Sequence, residues 1–118
     1  MKTNEFRIGN LIIINKDLQV KISSITQNSV FLRDNEEEIF ERHIDDIKPV
    51  PLTEEWLQKF NFEKYPYYKD IFKYCKNILT IKKNQLFINH YHVIEIKYVH
   101  QLQNLYFALT NKELIIKN

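Results

Sequence analysis

Hydrophobic and polar positions alternate with a period of two through the first fifty residues, and the period changes only afterwards. Residues 11–14 are a β-branched apolar run, the pattern of a buried strand. Val20, Ile22 and Ile25 then alternate with Lys21 and Ser23, as in a half-buried strand, and residues 29–33 form a third. A fourth is expected over residues 37–41, with Ile39 and either Phe40 or Glu41 setting its inward face. Asn15-Lys16-Asp17, Gln27-Asn28 and Asp34-Asn35 supply the turns, and Gly9 supplies a position free to take positive φ. His43-Ile-Asp-Asp46 suits a single 3₁₀ turn. Residues 47–50 make a last short strand, closed by Pro49 and Pro51 as an edge. Four strands, a tight turn and a fifth strand predict an SH3-like small β-barrel over residues 1–51.

The period becomes helical at Leu52-Thr-Glu-Glu-Trp-Leu-Gln-Lys-Phe60. Thr53 is an N-cap, and Glu54 and Glu55 sit in the first turn, where the helix dipole favours anions. Leu52 and Leu57 occupy the positions of a hydrophobic staple, Trp56 anchors the core, and Asn61 ends the helix. Tyr65, Tyr67 and Tyr68 around Pro66 predict an extended segment. Phe72 and Tyr74 alternate with Lys73 and Cys75 as a strand. Residues 77–81, 86–89 and 91–96 predict three more, with a turn at Lys82-Lys-Asn-Gln85.

In residues 98–109 the large side chains fall at Tyr98, Val99, Leu102, Leu105, Tyr106 and Leu109, the rhythm of an amphipathic helix. The opposite face holds His100, Gln101, Gln103 and Asn104, polar and uncharged, and is expected to be exposed. Thr110-Asn111-Lys112 is a C-cap turn, and residues 114–116 are expected to return as an edge strand. The expected fold class is α+β. The N-terminal barrel is followed by a linking helix over residues 52–62. An antiparallel β-meander over residues 63–118 completes it, with the C-terminal helix packed on the meander in one compact, two-lobed domain.

Three stretches resemble a family of small uncharacterised proteins encoded by bacteria of the Bacteroidota and by their phages and mobile elements. They are Arg7-Ile-Gly-Asn10, Lys48-Pro-Val-Pro-Leu-Thr-Glu-Glu-Trp-Leu57, and Tyr98-Val-His-Gln-Leu-Gln-Asn-Leu-Tyr-Phe-Ala-Leu-Thr110 with Glu113-Leu114. The resemblance spans most of the chain, and its C-terminal motif is specific. Where the family has Gly after the Leu-Thr pair this chain has Asn111, which also accepts left-handed geometry. The resemblance implies relatives and a genomic setting, and no reaction.

With 118 residues, 44% hydrophobic and 14% aromatic, the chain has material for a core. One Gly leaves no room for a phosphate-binding glycine loop, and one cysteine leaves none for an intrachain disulfide or a cysteine-based zinc cluster. The longest apolar run, residues 11–14, is too short to span a bilayer, and no signal-like segment opens the chain. A soluble protein of the bacterial cytoplasm is expected. Charge is uneven: residues 1–59 carry 8 basic and 11 acidic groups, residues 60–118 carry 9 and 4.

Several groups could carry chemistry. His90 and His92, alternate on one strand and about 7 Å apart, could join His100 as metal ligands, with Glu95 facing away; exposed polar positions flanking Tyr91 are the plainer account. Cys75 with a histidine could form a nucleophile pair, although a small buried residue is the commoner role of a lone cysteine. Glu36, Glu37, Glu38, Glu41, Asp45 and Asp46 lack calcium-loop spacing and read as a solvated rim. Lys69, Lys73, Lys76, Lys82 and Lys83, with Tyr65, Tyr67, Tyr68 and Tyr74, are the basic-aromatic mixture that binds single-stranded nucleic acid. His100, Gln101, Gln103 and Asn104 can meet a partner or tie the helix to the rest of the fold. The expected function is a non-enzymatic accessory binding module without a cofactor, contacting a protein partner. Nucleic acid through Lys69, Lys73, Lys76, Lys82, Lys83 and Tyr74 is the alternative, and a metal-dependent enzyme using His90, His92 and His100 is the third reading. No membrane contact is expected, and self-association stays open.

Overall fold

The computed structural model describes residues 2–14, 18–33, 38–67, 70–74 and 78–116. The turns expected at Asn15-Lys16-Asp17 and Asp34-Asn35 lie outside the described residues, as do Glu36, Glu37, Tyr68, Lys69, Cys75, Lys76 and Asn77. The fold is α+β, with two five-stranded antiparallel sheets, a short helix between them in sequence and a C-terminal helix. By contact, the chain divides into two units. Met1–Val50 with Tyr98–Asn111 form the first, and Pro51–Lys97 with Lys112–Asn118 form the second.

The first unit is built on β1 (Leu11–Ile14), β2 (Leu18–Ile25), β3 (Ser29–Arg33), β4 (Ile39–His43) and β5 (Lys48–Pro49), in the order β4-β3-β2-β1-β5. Alternation sets its inward face: Ile12, Ile14, Val20, Ile22, Val30 and Leu32 are buried together with Phe6, Ile44 and Ile47. Each such aliphatic side chain contributes about 1.5–3 kcal/mol when fully buried. β2 bulges between Ile22 and Ser24, which shifts its register on β3. His43 caps the 3₁₀ turn Ile44–Asp46, its Nδ1 accepting from Asp45 N at 3.1 Å. Glu38, Glu41, Asp45 and Asp46 are exposed, as a solvated rim requires. Among the described residues no pairing joins β4 to β5, so the sheet is open rather than a closed barrel.

The second unit is a consecutive meander of β6 (Glu63–Lys64), β7 (Ile71–Tyr74), β8 (Leu79–Lys82), β9 (Gln85–Ile88) and β10 (Tyr91–Glu95). It also holds α1 (Glu54–Lys59), capped by Thr53 Oγ1, which accepts from Trp56 N at 3.3 Å. Leu52, Trp56 and Leu57 are buried, and Asn61 leaves the helix at φ 68°. Lys83-Asn84 and Asn89-His90 are two-residue hairpin turns with every φ positive, at 49°, 65°, 48° and 74°. Such turns match the right-handed twist of the strands they join.

Four expectations are corrected. The helix of residues 98–109 is α2 (Val99–Thr110), and it belongs with the N-terminal sheet instead of the meander, because its amide side chains bond to the segment before β1. His90 lies in a turn, so it does not share a strand with His92. A bulge between His92 and Ile94 reverses the alternation. His92 and Glu95 therefore both reach Gln85, at 2.7 and 3.0 Å, instead of facing apart. Residues 114–116 form no strand; Leu114 is buried without one. No helix among the described residues is long and apolar enough to cross a membrane.

The hairpin geometry is testable at Asn84. A β-branched residue there pays the left-handed penalty of about 1–2 kcal/mol, and glycine does not. Urea melts should show Asn84→Val destabilised by that amount and Asn84→Gly at or above wild type.

Candidate functional site

α2 has one strongly buried apolar stripe, with Val99 and Leu102 inaccessible, as its periodicity requires. Part of its polar face is buried too, with Gln101 and Asn104 half-buried. His100 and Gln103 are each only 4% exposed, against the expectation of an open amide surface. The cause is an unmet demand in the backbone at the start of β1. β5 is two residues long and pairs only with Ile12 and Ile13, so it offers no strand partner to Leu11. Gln103 Oε1 takes that place, accepting from Leu11 N at 3.0 Å and from Asn10 Nδ2 at 3.4 Å, while its Nε2 donates to Gly9 O at 3.4 Å.

Asn10, fully buried, is the counterpart. Its Oδ1 accepts from Arg7 N at 2.7 Å, tying off the turn that Gly9 enters at φ 95°. Its Nδ2 donates to Asn104 Oδ1 at 2.8 Å, and Asn104 Nδ2 donates to Glu5 O at 3.2 Å. Arg7 lies over the Phe107 ring at 4.2 Å. The Arg7-Ile-Gly-Asn10 segment and α2 thus meet as one hydrogen-bonded clamp. Of the four expected contact residues, Gln103 and Asn104 are spent inside the unit.

The other two open onto a cleft. Glu5, Pro49, Tyr98, His100 and Gln101 line a recess of about 570 Å³ at the N-terminal end of α2, a volume within the range of ligand pockets. Gln101 Oε1 accepts from Tyr98 N at 3.1 Å, and Gln101 N donates to Tyr98 O, closing the first turn. His100 packs between Phe6, 4.4 Å away, and Tyr98, whose ring is stacked on it at 5.9 Å and 12°. Its Nδ1 is buried and has no hydrogen-bond partner among the described residues. Burial pushes the imidazole pKa below its ordinary value, with the Glu5 carboxylate acting in the opposite sense. His100 thus lines the cleft while its Nδ1 is closed off from solvent. Glu5, Pro49 and Tyr98 were not singled out by sequence; no local pattern links residues so far apart.

The basic-aromatic surface belongs to the second unit. Lys82 and Lys83 are exposed at the β8–β9 hairpin. Lys73 Nζ sits 3.9 Å above the Tyr65 ring, and Tyr74 stacks on Phe62 at 4.9 Å, so those rings are already occupied. Lys69 and Lys76 fall outside the described residues. His90 and His92 lie in this unit and His100 in the other; among the described residues no group of three His, Cys, Asp or Glu side chains could hold a metal ion.

Removing the clamp should be costly. Gln103→Leu strips partners from Leu11 N–H and Gly9 C=O; at about 1–3 kcal/mol for each unsatisfied buried group, urea unfolding should show a loss of roughly 2–6 kcal/mol. His100 gives a pH signature. Its pKa is lower in the fold than in the unfolded chain, so the unfolded chain takes up the proton first. This contribution is complete above about pH 6.5 and declines as pH falls toward the folded value. The melting temperature of the wild type should therefore drop relative to that of His100→Phe between about pH 7.5 and 5.5; a constant difference would count against a buried neutral imidazole.

Comparison of the chain with family models, with curated proteins and with solved structures gives no match.

Proposed function

We propose that this chain is a non-enzymatic accessory binding module of phage or mobile-element type, related to the small Bacteroidota proteins it resembles, and that it contacts a protein partner in the bacterial cytoplasm. The observation that carries the reading is the recess of about 570 Å³ beside the first turn of α2, walled by the Tyr98 and His100 rings and edged by the exposed Glu5. The contact surface is accordingly Glu5, Pro49, Tyr98, His100 and Gln101, with Gln103 and Asn104 holding the helix that presents it. An SH3-like lobe is the finer description of the first unit. It is supported by the strand order β4-β3-β2-β1-β5 and by the 3₁₀ turn leading into β5.

Nucleic acid is the second reading, favoured by one observation: the second unit carries ten basic and six acidic residues, with Lys82 and Lys83 exposed together.

The two readings separate in a pull-down from host lysate with and without nuclease, read by mass spectrometry. The expected result is a nuclease-resistant protein whose capture falls at least roughly tenfold with Glu5→Lys, the loss of one or two charge-assisted contacts, and is unchanged by Lys82→Glu with Lys83→Glu. Capture that needs nucleic acid, weakens steeply with salt and depends on the lysines would overturn it.

A further inference from the structure

The second sheet ends on an uncovered edge. Its core face can be followed across the strands, since Phe72 pairs with Ile81, Ile81 with Leu86 and Leu86 with Ile94. Residues opposed across a ladder share a face, so these four make one apolar row. Phe72, Ile81 and Leu86 are at most 2% exposed, whereas Ile94 is 50% exposed. The next row, Tyr74, Leu79, Ile88 and Tyr91, ends in the same way, on Tyr91 at 78%. Every residue of β10 is exposed, and among the described residues the strand pairs with β9 alone. An edge of this kind offers N–H and C=O groups to a further strand. The other three sheet edges are guarded. β5 is two residues long and contains Pro49, β6 is Glu63-Lys64, and β4 carries Glu41, Arg42 and His43. β10 has a single carboxylate, Glu95, held by Lys97 Nζ at 3.1 Å and by Gln85 Nε2 at 3.0 Å. Its bulge does not interrupt the apolar row, because the shift is what sets Ile94 opposite Leu86.

We propose that β10 is a self-association edge, on which β10 of a second copy of this chain pairs antiparallel about a two-fold axis near Val93. The two meanders then form one continuous sheet. Charge selects both the occupant and its direction. Parallel pairing in register would set Glu95 against Glu95, a like-charge pair that destabilises a ladder. The antiparallel two-fold sets Glu95 against the second copy's Tyr91, His92 against its Ile94, and Val93 against its Val93. No like charges meet, and the exposed ends of both apolar rows lie beside their counterparts. Such an interface is isologous, the same strand serving on both sides. With five residues of strand from each copy, it is smaller than the standard interface of about 1,600 Å². The dimer is therefore weak and depends on concentration.

The test is analytical ultracentrifugation of the full chain from about 5 to 500 μM. The wild type should pass from monomer toward dimer across that range. Val93→Lys or Val93→Glu places like charges across the axis and should weaken association at least roughly tenfold. An equimolar mixture of the two variants should restore it. Val93 is 45% exposed, so either change spares the core, which an unaltered melting temperature in dilute solution checks. In the wild type, amide hydrogen exchange should slow over Tyr91–Glu95 as concentration rises and stay constant at Glu63–Lys64. A chain that remains monomeric up to about 500 μM overturns the inference. So does a dimer that both Val93 variants form as well as the wild type, or one that leaves exchange in β10 unchanged. A monomer whose β10 is protected only in lysate assigns the edge to a strand of another protein, and overturns the second copy equally.

Discussion

One side-chain amide replaces a missing strand. β5 is too short to meet the backbone of Leu11, and Gln103 Oε1 accepts the N–H that a longer strand would have bonded. An unmet buried N–H costs about as much as a lost hydrogen bond and its desolvation, a large share of what holds a small domain together. The consequences follow in order. The helix must lie with its polar face inward, Asn10 must be buried to bridge the turn and the helix, and His100, one turn-position away, is drawn inside with them. Position α2 for its backbone duty and the cleft beside its first turn comes with it.

The same constraint explains which parts of the fold were legible in the sequence. Strands β1 to β3, the Thr53 cap, the 3₁₀ turn after His43 and the Lys83-Asn84 hairpin are set by residues within a few positions of each other, and each was readable from period or turn chemistry. The packing of α2 was not. Its amides look like an exposed face because no local pattern says that a backbone group at residue 11 needs a partner at residue 103. The apolar stripe gave the helix but not its sheet, and the expectation that it would cover the meander failed. The His90 and His92 reading failed for a smaller reason of the same kind. Strict alternation assumes an unbroken ladder, and a left-handed turn at Asn89-His90 and a bulge beyond His92 break it.

Charge divides along the two contact units in the same sense as along the two halves of the sequence, −2 and +4 against −3 and +5. The acidic excess falls in the first unit and the basic excess in the second, and α2 enters the acidic unit without a charge of its own. The lysines of the second unit are partly committed, Lys73 to the Tyr65 ring, while Lys82 and Lys83 remain at the hairpin where solvent and salt screen them.

In sequence, the larger segment of the second unit, Pro51–Lys97, stands between the two segments that make the first. During synthesis the five strands around β1 can pair as soon as residue 50 has emerged, yet the turn at Gly9-Asn10 and the edge at Leu11 stay open to water until residues 103 and 104 follow them from the ribosome. At about 5–20 residues per second that interval lasts some seconds, far longer than a hairpin takes to form. The meander is thus free to fold first, and the N-terminal sheet waits, incomplete along one edge, for the last helix to close it.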